Sequence, residues 1–181
     1  MTRRAIFLDR DGVINQAKVI EGKPYPPASL QELKLLPGVK KALELFKKKN
    51  FTLVVVSNQP DVARGTTKLS TVEQINNHLK ELLPIDFFIM CYHDNKDNCL
   101  CRKPLPGMLY SAAKELTLSL NESFMIGDRW RDVAAGKSAG CKTVFIDYGY
   151  NEQQPDSADY KVSSLYEASI LITKEELNET G

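Results

Sequence analysis

Two aspartates, in Asp9-Arg10-Asp11-Gly12, follow directly on the apolar run Ala5–Leu8. In an extended segment side chains two residues apart point the same way, so Asp9 and Asp11 can converge on one object. Two carboxylates held together repel, and a cation or a shared proton relieves the repulsion. Gly12 then lets the chain turn sharply. Three later groups belong with them: Ser57-Asn58-Gln59 and Gly127-Asp128-Arg129-Trp130-Arg131-Asp132 also close apolar runs, and Arg102-Lys103-Pro104 follows the excursion after the run at 85–90. Each has an ordinary reading of its own, as a turn, a surface cation and a helix N-terminus. Found in order, each behind an apolar run, they point to one site.

A second group lies between residues 91 and 106. Three of the four cysteines, Cys91, Cys99 and Cys101, crowd around His93 with the spacing Cys-x-His-x5-Cys-x-Cys. Three thiolates and an imidazole make a full tetrahedral set, which predicts a closed, structural zinc site with no position left for water. Arg102 and Lys103 follow the last ligand, so folding this loop would aim two cations toward the aspartates. Cys141, after Gly140, reads as a small buried apolar residue.

These residues need a scaffold. Apolar runs at 5–8, 51–56, 85–90, 123–126 and 143–146 are short, rich in Val, Ile and Phe, and barely alternate with polar residues. Strands buried on both faces have that pattern. Between them, Val39, Ala42, Leu43 and Phe46 fall on one helical face after Pro37. Ser70 and Glu73 suggest a capping box ahead of Val72, Ile75, Leu79 and Leu82. Residues 108–118, 132–139 (closed by Gly140) and about 165–172 read as three further helices. Alternation of strand and helix predicts an α/β fold, a mostly parallel sheet with helices on both faces. Parallel sheets place ligands at the carboxyl ends of their strands, where all four polar groups sit. Two stretches break the alternation: a Pro- and Gly-containing flap loop at about 16–36, and the cysteine loop at 91–106. The chain from 1 to 181 is expected to form one domain, with a frayed acidic tail after Lys174.

Composition narrows the field. The 181 residues carry 24 Lys+Arg against 23 Asp+Glu, a net charge of +1 that argues against a nucleic-acid surface. An apolar fraction of 43% excludes global disorder. No apolar run approaches the roughly 20 residues that cross a bilayer, so no membrane contact is expected. Clustered cysteines and the lack of a secretory leader pattern suggest a reducing compartment, the cytoplasm.

The four polar groups resemble the motifs of the haloacid dehalogenase-like (HAD) phosphohydrolases: Phe7-Leu8-Asp9-Arg10-Asp11-Gly12, Val56-Ser57-Asn58, Lys103, and Gly127-Asp128-x3-Asp132. The cysteine loop, with Arg102-Lys103-Pro104-x-Pro106-Gly107-Met108 and Asn58-Gln59-x3-Ala63-Arg64-Gly65, is similar to the zinc-containing branch of heptose bisphosphate and histidinol-phosphate phosphatases. The resemblance implies a three-layer Rossmann-like fold. Since only about forty residues separate the first two motifs, it implies a minimal cap.

A phosphate monoester dianion repels nucleophiles, so its hydrolysis needs a metal and fixed positive charge. The resemblance implies Mg2+ bound by Asp9, the backbone carbonyl of Asp11, and Asp128. It implies Asp9 as nucleophile through an aspartyl-phosphate and Asp11 as general acid and base. Ser57 and Lys103 would stabilise the phosphoryl group, with Asp132 orienting Lys103 or a metal-bound water. Asn58, Gln59, Arg102 and Arg129 are expected to contact substrate. A second anionic group on the substrate is expected from Arg102 and Arg129, which favours a small sugar bisphosphate. The implied activity is removal of the 7-phosphate of D-glycero-D-manno-heptose 1,7-bisphosphate by a monomer. Histidinol phosphate or another small sugar phosphate is the alternative substrate. A non-catalytic, zinc-stabilised interaction module is the alternative class.

Overall fold

The computed structural model describes residues 3–179, with side chains placed for 3–175. Its centre is a six-stranded, wholly parallel sheet. The strands are β1 (Ala5–Leu8), β4 (Thr52–Asn58), β5 (Phe87–Cys91), β6 (Phe124–Gly127), β7 (Lys142–Ile146) and β8 (Tyr160–Val162), in the order β5-β4-β1-β6-β7-β8. The chain builds outward from β1 to β5 on one side and then crosses back to β6 on the other. That reversal opens a crevice beyond the carboxyl ends of β1, β4 and β6.

Five helices cover the two faces: α1 (Val39–Lys48), α2 (Leu69–Leu82), α3 (Gly107–Leu116), α4 (Trp130–Ala139) and α5 (Leu165–Glu179). Alternation along β1 sends Ile6 and Leu8 to one side, where they meet Leu43 and Phe46 of α1, Ile75 and Leu79 of α2, and Ile172 of α5. Ala5 and Phe7 face the other side, against Met108 and Leu109 of α3 and Ala135 of α4. Both faces of the strand are therefore buried, which is why its sequence reads as a continuous apolar run. Each fully buried Leu, Ile or Phe contributes about 1.5–3 kcal/mol. Gly140 ends α4 in the left-handed conformation (φ 84°) that a side chain resists.

The expected layers and strands are present, with four local differences. The 16–36 flap is not wholly irregular. It holds an antiparallel hairpin of β2 (Lys18–Ile20) and β3 (Lys23–Tyr25), followed by a 3-10 turn at Leu30–Glu32. The strand β8 escaped notice because three residues are too few to show a period. Helix α2 begins one residue before Ser70. Lys68 is its cap and accepts from the amides of Thr71 and Val72, so the Ser70–Glu73 capping box does not form. Helix α5 runs on to Glu179, so the expected frayed tail is helical over most of its length. Among the described residues no helix is long and apolar enough to cross a membrane.

Candidate active site and metal centre

The four groups meet at one crevice. Asp9 directly follows β1, and its amide donates to the Ile126 carbonyl of β6 (3.0 Å). Ser57 and Asn58 end β4, Asp128 follows β6, and Asp132 lies in the first turn of α4. Gly127 makes the last placement possible: a Cβ there would lie 2.1 Å from that of Asp132.

Lys103 is the hub. Its side chain is only 2% exposed, yet its ammonium has three acceptors. They are Asp132 Oδ1 at 2.6 Å, the Val56 carbonyl at 2.7 Å and Asp9 Oδ1 at 3.0 Å. An ammonium has three N–H groups, so its donor capacity is filled. Burial alone would lower its pKa, but the charges of Asp132 and Asp9 outweigh that and raise it. Asn58 clasps the same residue by its backbone. Its amide nitrogen donates to the Lys103 carbonyl (2.9 Å) and its oxygen accepts from the Lys103 amide (3.0 Å).

Carboxylate oxygens of Asp9, Asp128 and Asp132 lie within 4.8 Å of one another, a set able to hold a metal ion. Burial pushes Asp9 up to about 6 against the pull of Lys103, helped by the nearby charges of Asp132 and Asp11. Burial, with Asp9 and Asp132 beside it, raises Asp128 well above the usual carboxylate range. Asp128 is 1% exposed, and its Oδ1 is buried without a hydrogen-bond partner. Acidic groups packed this way are costly unless a cation joins them.

Asp11 does not add its carboxylate to that cluster, although strand periodicity suggests that Asp9 and Asp11 converge. The reason is Arg10, which is 1% exposed and must have a counter-charge. Its guanidinium donates to both Asp11 oxygens (3.2 Å each) and to Asn76 Oδ1 (2.9 Å). Asn15 Nδ2 (3.0 Å) and Gln59 Nε2 (2.7 Å) complete the ring around Asp11, whose side chain still borders the crevice. Gln59, expected at the substrate, is thus turned inward. It is 2% exposed and also donates to Ser57 Oγ (3.0 Å).

Asp9, Asp11, Ser57, Lys103, Lys23 and Tyr25 all line the crevice, so the flap hairpin forms part of its wall. Four arginines line the crevice and differ in their commitments, Arg64 being paired with Asp94 and Asp61. Arg102 donates to Asn95 Oδ1 (2.8 Å) and the His93 carbonyl (3.3 Å). Arg129 is paired through both Nε and Nη2 with Glu152. Arg131, which sequence reasoning passed over, lines the crevice and makes no salt bridge among the described residues. Its guanidinium lies 5.2 Å from the Trp130 ring centre. Burial and the positive charges of Arg129 and Arg102 lower its pKa, as a cation among cations. Trp130 therefore supports a rim residue and is not itself part of the wall.

The four sulfur and nitrogen ligands also converge. Cys91 Sγ lies 3.6 Å from His93 Nδ1, 3.7 Å from Cys99 Sγ and 3.3 Å from Cys101 Sγ, and His93 Nδ1 lies 3.3 Å from Cys101 Sγ. One donor from each forms a set that could hold a metal ion. Cys141 stays apart, 6% exposed, with burial pushing its thiol up to about 12.

Comparison with known proteins places this geometry in context. The HAD hydrolase-like family matches residues 100–168. The D-glycero-β-D-manno-heptose-1,7-bisphosphate 7-phosphatase of Helicobacter pylori is 35% identical over 151 residues, covering 80% of this chain and 84% of that protein. The enzyme of the same name from Pasteurella multocida is 33% identical over 184 residues, 94% of this chain and 97% of its own. The crystal structure of D,D-heptose 1,7-bisphosphate phosphatase from B. bronchiseptica, complexed with magnesium and phosphate, superposes with a TM-score of 0.82. It is 29% identical, and the match covers 95% of this chain and 99% of that one.

Proposed function

Because the chain belongs to the HAD-like phosphohydrolases, in the family of the heptose 1,7-bisphosphate 7-phosphatases, we propose that it removes the 7-phosphate of D-glycero-D-manno-heptose 1,7-bisphosphate. The observation that carries the chemistry is the buried Lys103 ammonium between Asp9 and Asp132, beside an Asp128 oxygen with no partner.

Asp9 attacks phosphorus, and the bond from phosphorus to the sugar oxygen breaks as an aspartyl-phosphate forms. Asp11, in its acid form and turned from the Arg10 ring toward the crevice it borders, gives its proton to the leaving oxygen. It then takes a proton from the water that attacks phosphorus and releases Asp9. Lys103 offsets the charge of the transferring group, the Ser57 hydroxyl holds one of its oxygens, and Asp132 keeps the ammonium in place. The hard, all-oxygen donor set and the orphaned Asp128 oxygen fit Mg2+, which Asp9, Asp128 and the Asp11 carbonyl would hold. When bound, the ion supplies charge neutralisation at the phosphoryl oxygens.

Cys91, His93, Cys99 and Cys101 are assigned a structural zinc. Their spacings of 3.3–3.7 Å are close to the roughly 3.8 Å edge of a tetrahedron of thiolates around zinc. Such a thiolate site also supports a reducing, cytoplasmic setting. For the second phosphate, Arg131 is the better partner, with Arg102 beside it, because Glu152 already neutralises Arg129.

The test compares kcat/KM for heptose bisphosphate, fructose bisphosphate and histidinol phosphate with Mg2+ present. Heptose bisphosphate should lead, and Asp9→Asn should be inactive on all three. Preference for histidinol phosphate refutes the substrate, and silence toward every phosphate would leave a zinc-stabilised binding module.

A further inference from the structure

Asp128 is held by a residue outside all four strand-end groups. The Tyr150 hydroxyl donates to Asp128 Oδ2 at 2.9 Å. The same oxygen lies over Gly12, where a Cβ would fall 1.9 Å away, so Oδ2 is confined between a glycine and a phenol. Oδ1, buried and unpartnered, is left as the oxygen free to take a cation.

The segment carrying Tyr150 is itself pinned. On one side the Asn151 amide donates to the Gly22 carbonyl in the turn of the flap hairpin (2.9 Å). On the other, Glu152 pairs with Arg129. Three consecutive residues thus touch the flap, an acid of the carboxylate cluster and a rim cation.

We propose that Tyr150 is a positioning residue for the metal-binding carboxylate of Asp128, fixing which oxygen faces the ion. The proposal rests on the reading of Asp128 as a Mg2+ ligand. An outer hydrogen bond of this kind restricts the ligand's rotation, and losing one typically weakens metal binding roughly 10- to 100-fold.

Calorimetric titration of the zinc-loaded protein with MgCl2 tests it without any substrate. Tyr150→Phe should raise the Mg2+ Kd at least roughly tenfold. Its kcat at saturating Mg2+ should remain within about twofold of the unmutated value, a split that a general loss of structure would not produce. Tyr148→Phe, on the neighbouring ring 5.6 Å away, should bind Mg2+ as before. An unchanged or lower Kd in a folded Tyr150→Phe protein overturns the proposal. If that variant does not fold, Gly22→Ala replaces it, because its Cβ would press on Asn151 (2.7 Å) and shift the segment from the flap side. A raised Kd there supports the coupling, and an unchanged one overturns it. Should the unmutated protein bind no Mg2+, the phosphatase reading fails first and this inference falls with it.

Discussion

Replacing Lys103 by methionine keeps most of the stem volume and deletes the ammonium. Asp132, 3% exposed, and Asp9, 11% exposed, would then lose their shared cation at the floor of the crevice, where both are largely buried. Breaking a buried ion pair by removing one partner costs about 3–5 kcal/mol. For a chain of this size each kcal/mol corresponds to about 2–4 °C, so the melting temperature should fall by roughly 6–20 °C. Two conditions sharpen the expectation. The drop should be largest at pH 8, where the carboxylates are ionised, and saturating Mg2+ should recover much of it by restoring positive charge to the cluster. Activity should not return with the stability, because no cation remains where Lys103 faced the phosphoryl group. Thermal unfolding by circular dichroism of zinc-loaded protein, with and without Mg2+, reads the first part, and phosphate release reads the second. A fall of less than about 2 °C without Mg2+, or turnover within tenfold of the unmutated enzyme, would show that Lys103 is not the counter-charge of this site.

Two further outcomes follow from the thiols and from Asp9. Iodoacetamide at pH 8 should modify the native zinc-loaded protein little; chelation should open Cys99 and Cys101, while Cys91 and Cys141, both buried and pushed up to about 12, wait for denaturant. Mass spectrometry finding Cys91 or Cys141 labelled along with Cys99 and Cys101 would contradict that burial. Asp9 keeps its proton up to about pH 6 in the folded metal-free chain but loses it near 4 when unfolded. The folded state therefore holds the extra proton between those values, so this residue's contribution to stability falls as pH rises from about 4 to 6, with its full cost above 6. Urea titrations should show a shallower decline in Asp9→Asn, and equal slopes would argue against a desolvated Asp9.

The strand ends at Asp9, Ser57 and Asp128 were readable because each follows a buried run, and a parallel sheet brings such ends together whatever the intervening length. The cysteine loop was readable because its ligand spacing is local. What lay hidden was pairing across the fold. Nothing near Arg129 announces Glu152, twenty-three residues on, and nothing near Asp128 announces Tyr150. Asp11 was misdirected by strand periodicity, since the chain leaves the strand at Leu8 and the buried Arg10 claims its carboxylate. Gln59 looked like a substrate amide because polarity at a strand end suggests exposure, whereas Asp11 draws it inward. The flap hairpin escaped because two exposed three-residue strands, one containing Pro24, carry no alternation to detect.

Asn58 grips the backbone of Lys103 from both sides, while the Val56 carbonyl and two acids fix its tip. The placement of the central cation is thus shared with the sheet and does not depend on the cysteine loop alone. Arg102 has no such second anchor, because both its recorded partners, Asn95 and His93, belong to that loop. Slackening the thiolate knot would blur the pocket's grip on the far end of a sugar before it disturbed the point where phosphorus reacts.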